Sequence, residues 1–374
     1  MKAEAPAPPT RRERVLRLVL PDGWRPPLSA VALAVTGGLL FAWAGLPLPW
    51  MLGAMLATTL ASLSGLRIAI PASWRPPTIA VLGVMLGSGF TEEVAARILL
   101  WLPSFAALPF YIVVVGIVAM VYLRKIGRLD PRTTFFCATP GGLGEMVVLG
   151  DRSGGDMRTI AMVHGTRILL VVFLIPFSLQ ALGYENLRGV PAGAVPAGPL
   201  DLALMALCGL VGAVLGNLLR LPAPALLGPM LLSAAAHLWG LVHGAPPVAV
   251  VAAAQLLIGA SVGCRFTGMP VVRVLWSIVT GFGLTVLMLG VAVGFGALVS
   301  WATGLPLLLL VLAFSPGGLA EMSLIALALT DDPAFVAANH IVRIGLVVIL
   351  ATPLFALYRR FMKLPPQPED DKRP

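Results

Sequence analysis

Apolar residues along this chain come in long uninterrupted blocks. Such blocks, for example Trp50–Leu66, Ile98–Leu123, Thr159–Leu182 and Val274–Val299, approach or exceed the roughly 20 residues a helix needs to cross a bilayer. The pattern predicts apolar segments over 29–45, 50–66, 77–90 and 98–123, an element over 133–149 interrupted by Pro140-Gly141-Gly142, and a long helix over 158–183. A stretch rich in Gly, Pro and Ala, 189–199, separates this half from a second, with segments over 200–219, 225–241, 247–264, 273–299, 305–329 and 334–357. The organisation expected is a basic tail over 1–28, a first membrane repeat over 29–188, the linker over 189–199, a second repeat over 200–357 and a charged tail over 358–374.

The halves are copies of one unit. Thr139-Pro140-Gly141-Gly142-Leu143-Gly144-Glu145-Met146 returns as Ser315-Pro316-Gly317-Gly318-Leu319-Ala320-Glu321-Met322, with 176 residues between the two prolines. His164 and Arg167 return at the same spacing as His340 and Arg343, Asp156 returns as Asp332, and Gly87, Phe90 and Thr91 return as Gly263, Phe266 and Thr267. Pro49-Trp50-Met51-Leu52-Gly53 pairs with Pro224-Ala225-Leu226-Leu227-Gly228 one residue off that register. A near-constant offset over more than a hundred residues is the signature of duplication.

Composition agrees with the membrane reading: the chain is 58% hydrophobic and 11% charged, against about 25% charged in soluble domains. The net charge of +9 does not point to nucleic acid, because the basic residues lie in tails and short loops. Arg11-Arg12-Glu13-Arg14-Val15-Leu16-Arg17-Leu18-Val19-Leu20 reads equally as a surface-lying amphipathic stretch and as a basic tail; Arg17 and the prolines before Ser29 interrupt any signal-peptide core. Cys137, Cys208 and Cys264 form no CxxC pattern and read as small buried hydrophobes.

Basic loops give the orientation. In the first half Arg67 and Arg75 follow the second segment, and Arg124, Lys125, Arg128 and Arg132 follow the fourth; the matching loops 241–247 and 299–305 carry no Lys or Arg. The second half instead places Arg220, Arg265 and Arg273 after its first and third segments. That swap predicts an all-α polytopic protein of two inverted repeats, each with five spans plus one Pro-Gly-Gly broken or re-entrant element, with both termini in the cytoplasm.

The candidate site is Pro140, Gly141, Gly142, Glu145, His164 and Arg167 with Pro316, Gly317, Gly318, Glu321, His340 and Arg343. Non-helical backbone at membrane depth is tolerated where it is buried in protein or lines a cavity, and interrupted helices of inverted repeats hold the solute or ion of many carriers. A packing kink is the alternative. Each glutamate sits in the first turn after the break, where it serves either as a cap on the helix dipole or as an ion or proton site. Each histidine and arginine are three residues apart and share a helix face. Glu145 for Arg167 and Glu321 for Arg343 are the expected partners, within or across the halves, either as structural ion pairs or as part of an anion pocket. Two His and two Glu would suit a metal, but the neighbouring arginines repel a cation, so no metal or cofactor is expected. Asp156 and Asp332 read as N-caps, His237 and His243 as incidental, and Gly209, Gly212, Gly216, Gly290 and Gly294 as packing positions.

The doubled Pro-Gly-Gly-Leu-Gly/Ala-Glu-Met, each followed by His-x-x-Arg, resembles the bacterial AbrB membrane-protein family with its duplicated domain, over residues 29–357. The resemblance implies a polytopic inner-membrane protein; members are labelled "AbrB family transcriptional regulator" or "putative ammonia monooxygenase", and an unrelated soluble DNA-binding regulator shares the name. Inverted halves with interrupted helices also look like the sodium/proton antiporter and bile-acid symporter architecture. Three functions follow as expectations: a secondary-transporter-like carrier of a small solute or ion; a membrane protein that regulates gene expression indirectly, since no helix-turn-helix unit is present and no direct nucleic-acid binding is expected; and a monooxygenase-like enzyme, for which the metal ligands are poor. Homo-oligomerisation is left open.

Overall fold

The computed structural model describes residues 25–90, 94, 98–184, 197–221, 223–330 and 332–365. The basic stretch Arg11–Leu20, Thr91, most of the 189–199 linker and the end of the charged tail lie outside them. Among the described residues the regular structure is helical. The first half holds α1 (Arg25–Trp43), α2 (Pro49–Leu63), α3 (Arg75–Ser88), α4 (Leu102–Lys125), α5 (Pro131–Ala138), α6 (Leu143–Arg152) and α7 (Met157–Ala181). The second holds α8 (Pro199–Leu218), α9 (Pro224–Leu238), α10 (Val248–Gly263), α11 (Val271–Thr303), α12 (Leu307–Phe314), α13 (Leu319–Leu329) and α14 (Pro333–Phe361), in the same order of long and short pieces.

Local chemistry sets the helix starts. Proline, whose missing N–H costs nothing in the first turn, opens α2, α3, α4, α5, α8, α9 and α14. Asp130 caps α5 by accepting from the Arg132 and Thr133 amides, both at 3.0 Å. Asp156 accepts from the Arg158 amide, and Asp332 from that of Phe335, each at 3.0 Å.

Seven helical segments among the described residues are long and apolar enough to cross a membrane: Pro26–Trp43, Ile98–Lys125, Met157–Ala181, Pro199–Leu218, Val248–Phe266, Val271–Thr303 and Pro333–Phe361. This is a helical membrane protein. Three segments expected as spans are shorter than the hydrocarbon core they would have to cross. Helices α2 and α9 have 15 residues and α3 has 14, about 22 Å at 1.5 Å per residue against a hydrocarbon core of about 30 Å. The run at α2 ends at Ser64-Gly65 and that at α9 at Trp239-Gly240; both glycines adopt positive φ, which stops the helix before the apolar run is exhausted.

Packing is crosswise. Helices α1–α3 pack with α8–α10, and α4–α7 with α11–α14. In the first group α3 lies on α9, and α10 on α2. Gly83 faces Leu226 and Pro229, while Gly87, one turn on, faces Met230 and Ser233; α3 and α9 therefore run in the same direction. Gly259 faces Met51, and Gly263 faces Met55 and Thr58, so α10 and α2 do too. Any side chain at these glycines would run into the neighbouring backbone, as where small residues let membrane helices approach closely. In the second group the sense reverses. Tyr122 lies on Gly283, whereas Tyr111, about three turns earlier, meets Phe295 with ring centroids 5.6 Å apart; α4 and α11 are antiparallel.

Helix α7 is enclosed over most of its length, whereas α4 has one face for protein and one for lipid. On α4, Leu108, Tyr111, Ile112, Val115, Ala119 and Leu123 are buried at helical spacing, while Phe110, Val113, Val114, Ile117 and Val121 are exposed. Both faces are apolar, so the solvent for the outer one is hydrocarbon rather than water.

Candidate functional site

The two breaks follow from one missing atom in each half. In α5 the last regular hydrogen bond runs from the Thr139 amide to the Phe135 carbonyl at 3.1 Å. The next donor would be the amide of residue 140, aimed at the Phe136 carbonyl, and residue 140 is proline. In α12 the Ser315 amide donates to Val311 at 2.9 Å; the next donor, toward Leu312, would belong to Pro316. Each break thus leaves a buried carbonyl without its helical partner, a group that costs about 1–3 kcal/mol if left unpaired.

The conserved-spacing histidines supply those donors. His164 Nε2–H donates to the Phe136 carbonyl at 2.8 Å, and His340 Nε2–H to the Leu312 carbonyl at 3.0 Å. Because a carbonyl only accepts, both rings carry the proton on Nε2. Each histidine is fully buried on the long helix that follows the break, α7 or α14.

The arginines, one turn further along, serve the carbonyls of the loops. Arg343 Nη1 donates to Ser315 at 2.6 Å and to Phe314 at 3.5 Å; its Nη2 donates to Gly317 at 3.1 Å and to His340 Nδ1 at 3.0 Å. Arg167 makes a single long bond, Nη2 to the Gly141 carbonyl at 3.5 Å. Both guanidinium groups are buried, Arg167 at 1% and Arg343 at 2% exposure. Cations at the C-terminal ends of α5 and α12 also meet the favourable end of the helix dipole.

The expected pairing of Glu145 with Arg167 and of Glu321 with Arg343 is not what forms. Among the described residues no ion pair or hydrogen bond joins either glutamate to either arginine. Each carboxylate folds back over its own N-cap glycine: a Cβ at Gly142 would strike Glu145 Oε2, and one at Gly318 would strike Glu321 Oε2. The acid at the third position of α6 or α13 is held by the positive end of that helix, and only glycine leaves it room. The copies differ in surroundings. Glu145 is exposed, whereas Glu321 is 4% exposed and within electrostatic reach of Arg265. The position matching Arg265 in the first half is Gly89.

The breaks reach across the halves. A Cβ at Gly141 would meet Val347 Cγ1 of α14 at 2.8 Å, and one at Gly317 would meet Val171 Cγ1 of α7 at 3.4 Å. Ser104 of α4 donates to Asn339 of α14 at 2.7 Å, while Thr166 of α7 and Ser277 of α11 share a hydrogen bond of 2.9 Å. Arg167 and Arg343 consequently lie within electrostatic reach of each other and of Tyr111 on α4. Tyr111 is fully buried against Phe314, with ring centroids 5.2 Å apart, and its hydroxyl has no partner. Sequence reasoning missed this residue because it searched among duplicated positions, and the counterpart of Tyr111 is Leu287. A tyrosine in the middle of the apolar run Phe105–Val121 was the available signal.

No three His, Cys, Asp or Glu side chains converge among the described residues. His237, read as incidental, bonds the Ser233 carbonyl of its own helix at 2.7 Å.

The family described as "Transition state regulatory protein AbrB" matches residues 50–359. Among curated proteins the chain is similar to an uncharacterized protein, YhjN, of Bacillus subtilis (strain 168), 27% identical over 351 residues that cover 87% of this chain and 91% of the relative. It is also similar to a putative regulator, AbrB, of Escherichia coli (strain K12), 26% identical over 322 residues that cover 84% and 90%. The matched region runs from the start of α2 to the end of α14 and includes both breaks with all four buried histidines and arginines, which makes this chain a member of the AbrB family.

Proposed function

We propose that this protein is a secondary-transporter-like carrier of a small solute in the bacterial inner membrane, with its site where the two Pro-Gly-Gly elements meet. The observation that carries the reading is that both interruptions are buried, each against the long helix of the other half, with their freed carbonyls satisfied by His164, Arg167, His340 and Arg343. Irregular backbone at that depth is the usual setting of a carrier's binding site. Inverted repeats are supported by the antiparallel α4 and α11, the co-directional α3 and α9, and the swapped basic loops; together these favour an interrupted span in each half and both termini in the cytoplasm. Crosswise packing also divides the chain into two groups of helices, α1–α3 with α8–α10 and α4–α7 with α11–α14. Movement of one group against the other would expose the site alternately to either side.

The test is solute uptake into proteoliposomes with the exposed Glu145, in the first turn of α6, replaced. Glu145→Gln should insert and fold as the parent does yet lose transport, because it changes the charge beside the break without uncovering a buried group. Normal flux in that variant removes Glu145 from the site. The names of the family and of the Escherichia coli relative favour a second reading, a membrane protein that regulates gene expression indirectly; a deletion that alters transcription while the reconstituted protein moves no solute would select it.

A further inference from the structure

We infer that the buried cluster of Arg167, Arg343 and Tyr111 binds a small oxyanion. The inference names the solute class for the proposed carrier, and it rests on that reading only in assuming that the bound ion is also moved.

The argument starts from donors and charge. Arg167 Nε and Nη1, Arg343 Nε and the Tyr111 hydroxyl are all buried and lack partners among the described residues. All four carry hydrogens to donate, and they belong to three side chains that lie within electrostatic reach of one another. Two guanidinium cations share this apolar interior, and among the described residues no carboxylate is bonded to either. Water can satisfy an N–H group but cannot neutralise two like charges out of solvent, and an uncompensated buried charge is strongly destabilising. Carbonyls at the end of α12 and in the loop after it compensate Arg343, which donates to three of them. Arg167 has one bond, at 3.5 Å. The deficit therefore centres on Arg167.

Departure from twofold equivalence points to the same spot. His340 Nδ1 accepts from Arg343, whereas His164 Nδ1 has no partner. Tyr111 supplies a hydroxyl where the other half has Leu287. Arg343 is bonded through both Nη atoms, whereas Arg167 keeps two unpartnered nitrogens within electrostatic reach of the Tyr111 hydroxyl. Planar guanidinium groups match oxyanions in geometry as well as charge. A carboxylate and an inorganic oxyanion present the same chemistry to these groups.

The experiment uses the purified full chain in nanodiscs. Its thermal midpoint is followed while acetate, nitrate or inorganic phosphate replaces chloride at constant ionic strength. A saturable rise of about 5 °C or more is expected for at least one oxyanion at about a hundred times its half-saturating concentration. Tyr111→Phe, which keeps the ring packing, should weaken half-saturation about tenfold, and Arg167→Gln should abolish the response. Response to acetate alone assigns a carboxylate, and response to phosphate or nitrate alone an inorganic ion. The inference is overturned if no oxyanion acts differently from chloride, or if Tyr111→Phe responds as the parent does; that variant decides the matter should Arg167→Gln fail to fold. Flux is measured with the same purified protein reconstituted into sealed proteoliposomes. Anion binding without transport removes the carrier reading and leaves this inference standing; transport of a cation or neutral solute without anion binding does the reverse.

Discussion

His164 and Pro140 form a donor replacement that a double-mutant cycle can measure. Pro140 deprives the Phe136 carbonyl of its helical partner, and His164 Nε2–H fills the place at 2.8 Å. His164→Phe keeps an aromatic ring in the cavity but leaves that carbonyl unpaired. A buried unpaired carbonyl costs about 1–3 kcal/mol in water-soluble proteins, and side-chain hydrogen bonds in membrane bundles average about 0.6 with a maximum near 1.7, so a loss of about 1–2 kcal/mol is expected. Pro140→Ala restores an amide at the position that would close the regular bond. In that background His164→Phe should cost about 1 kcal/mol less, because Phe136 then has a second donor. The assay is reversible unfolding in mixed micelles, with wild type, both single variants and the double variant compared. Non-contacting sites add to within about 0.5 kcal/mol; additivity of these two substitutions would mean that the histidine does not replace the proline's missing amide. In the second half His340→Phe should cost more than His164→Phe, since it also removes the acceptor for Arg343 Nη2.

Other consequences are separately measurable. Glu321→Gln should destabilise the fold more than Glu145→Gln, because it leaves Arg265 without its buried carboxylate; equal effects would show that the two acids share one environment. Gly83→Val and Gly259→Val should each sharply reduce the folded yield, since a side chain at either position meets the backbone of Leu226 or Met51; wild-type yield would refute the close crossings. In a cysteine-free background Ala302→Cys, exposed at the end of α11, should react with an impermeant maleimide on intact cells, while Lys125→Cys, exposed at the end of α4, should react only after permeabilisation. Labelling of both from outside would contradict the antiparallel pairing of α4 and α11.

Much of the site was legible in the sequence because the chain states it twice. The repeat of Pro-Gly-Gly, Glu and His-x-x-Arg marked the breaks and the polar residues around them, and hydropathy located the helices to within a few residues. Partner choice was misread. Looking for a carboxylate to neutralise each arginine overlooked the carbonyls that a proline leaves free four residues upstream, although Phe136 and Leu312 could have been identified by that count. Tyr111 was hidden for the opposite reason: it breaks the repeat. The difference in burial between Glu145 and Glu321 was hidden too, because it depends on Arg265 facing one copy and Gly89 standing in the equivalent place. Segment lengths at α2 and α9 were overestimated because their apolar runs continue past the turns at Gly65 and Gly240 that end each helix.

Disulfide trapping tests most directly whether the two interruptions meet across the halves. Thr166→Cys with Ser277→Cys, whose native oxygens are 2.9 Å apart, serves as the reference pair, and Gly141→Cys with Val347→Cys reports on the first break. After mild oxidation and digestion, mass spectrometry should find the linked peptides of both pairs within a single chain. A reference link without the Gly141–Val347 link would place the first Pro-Gly-Gly away from α14 and contradict a site shared by the two halves.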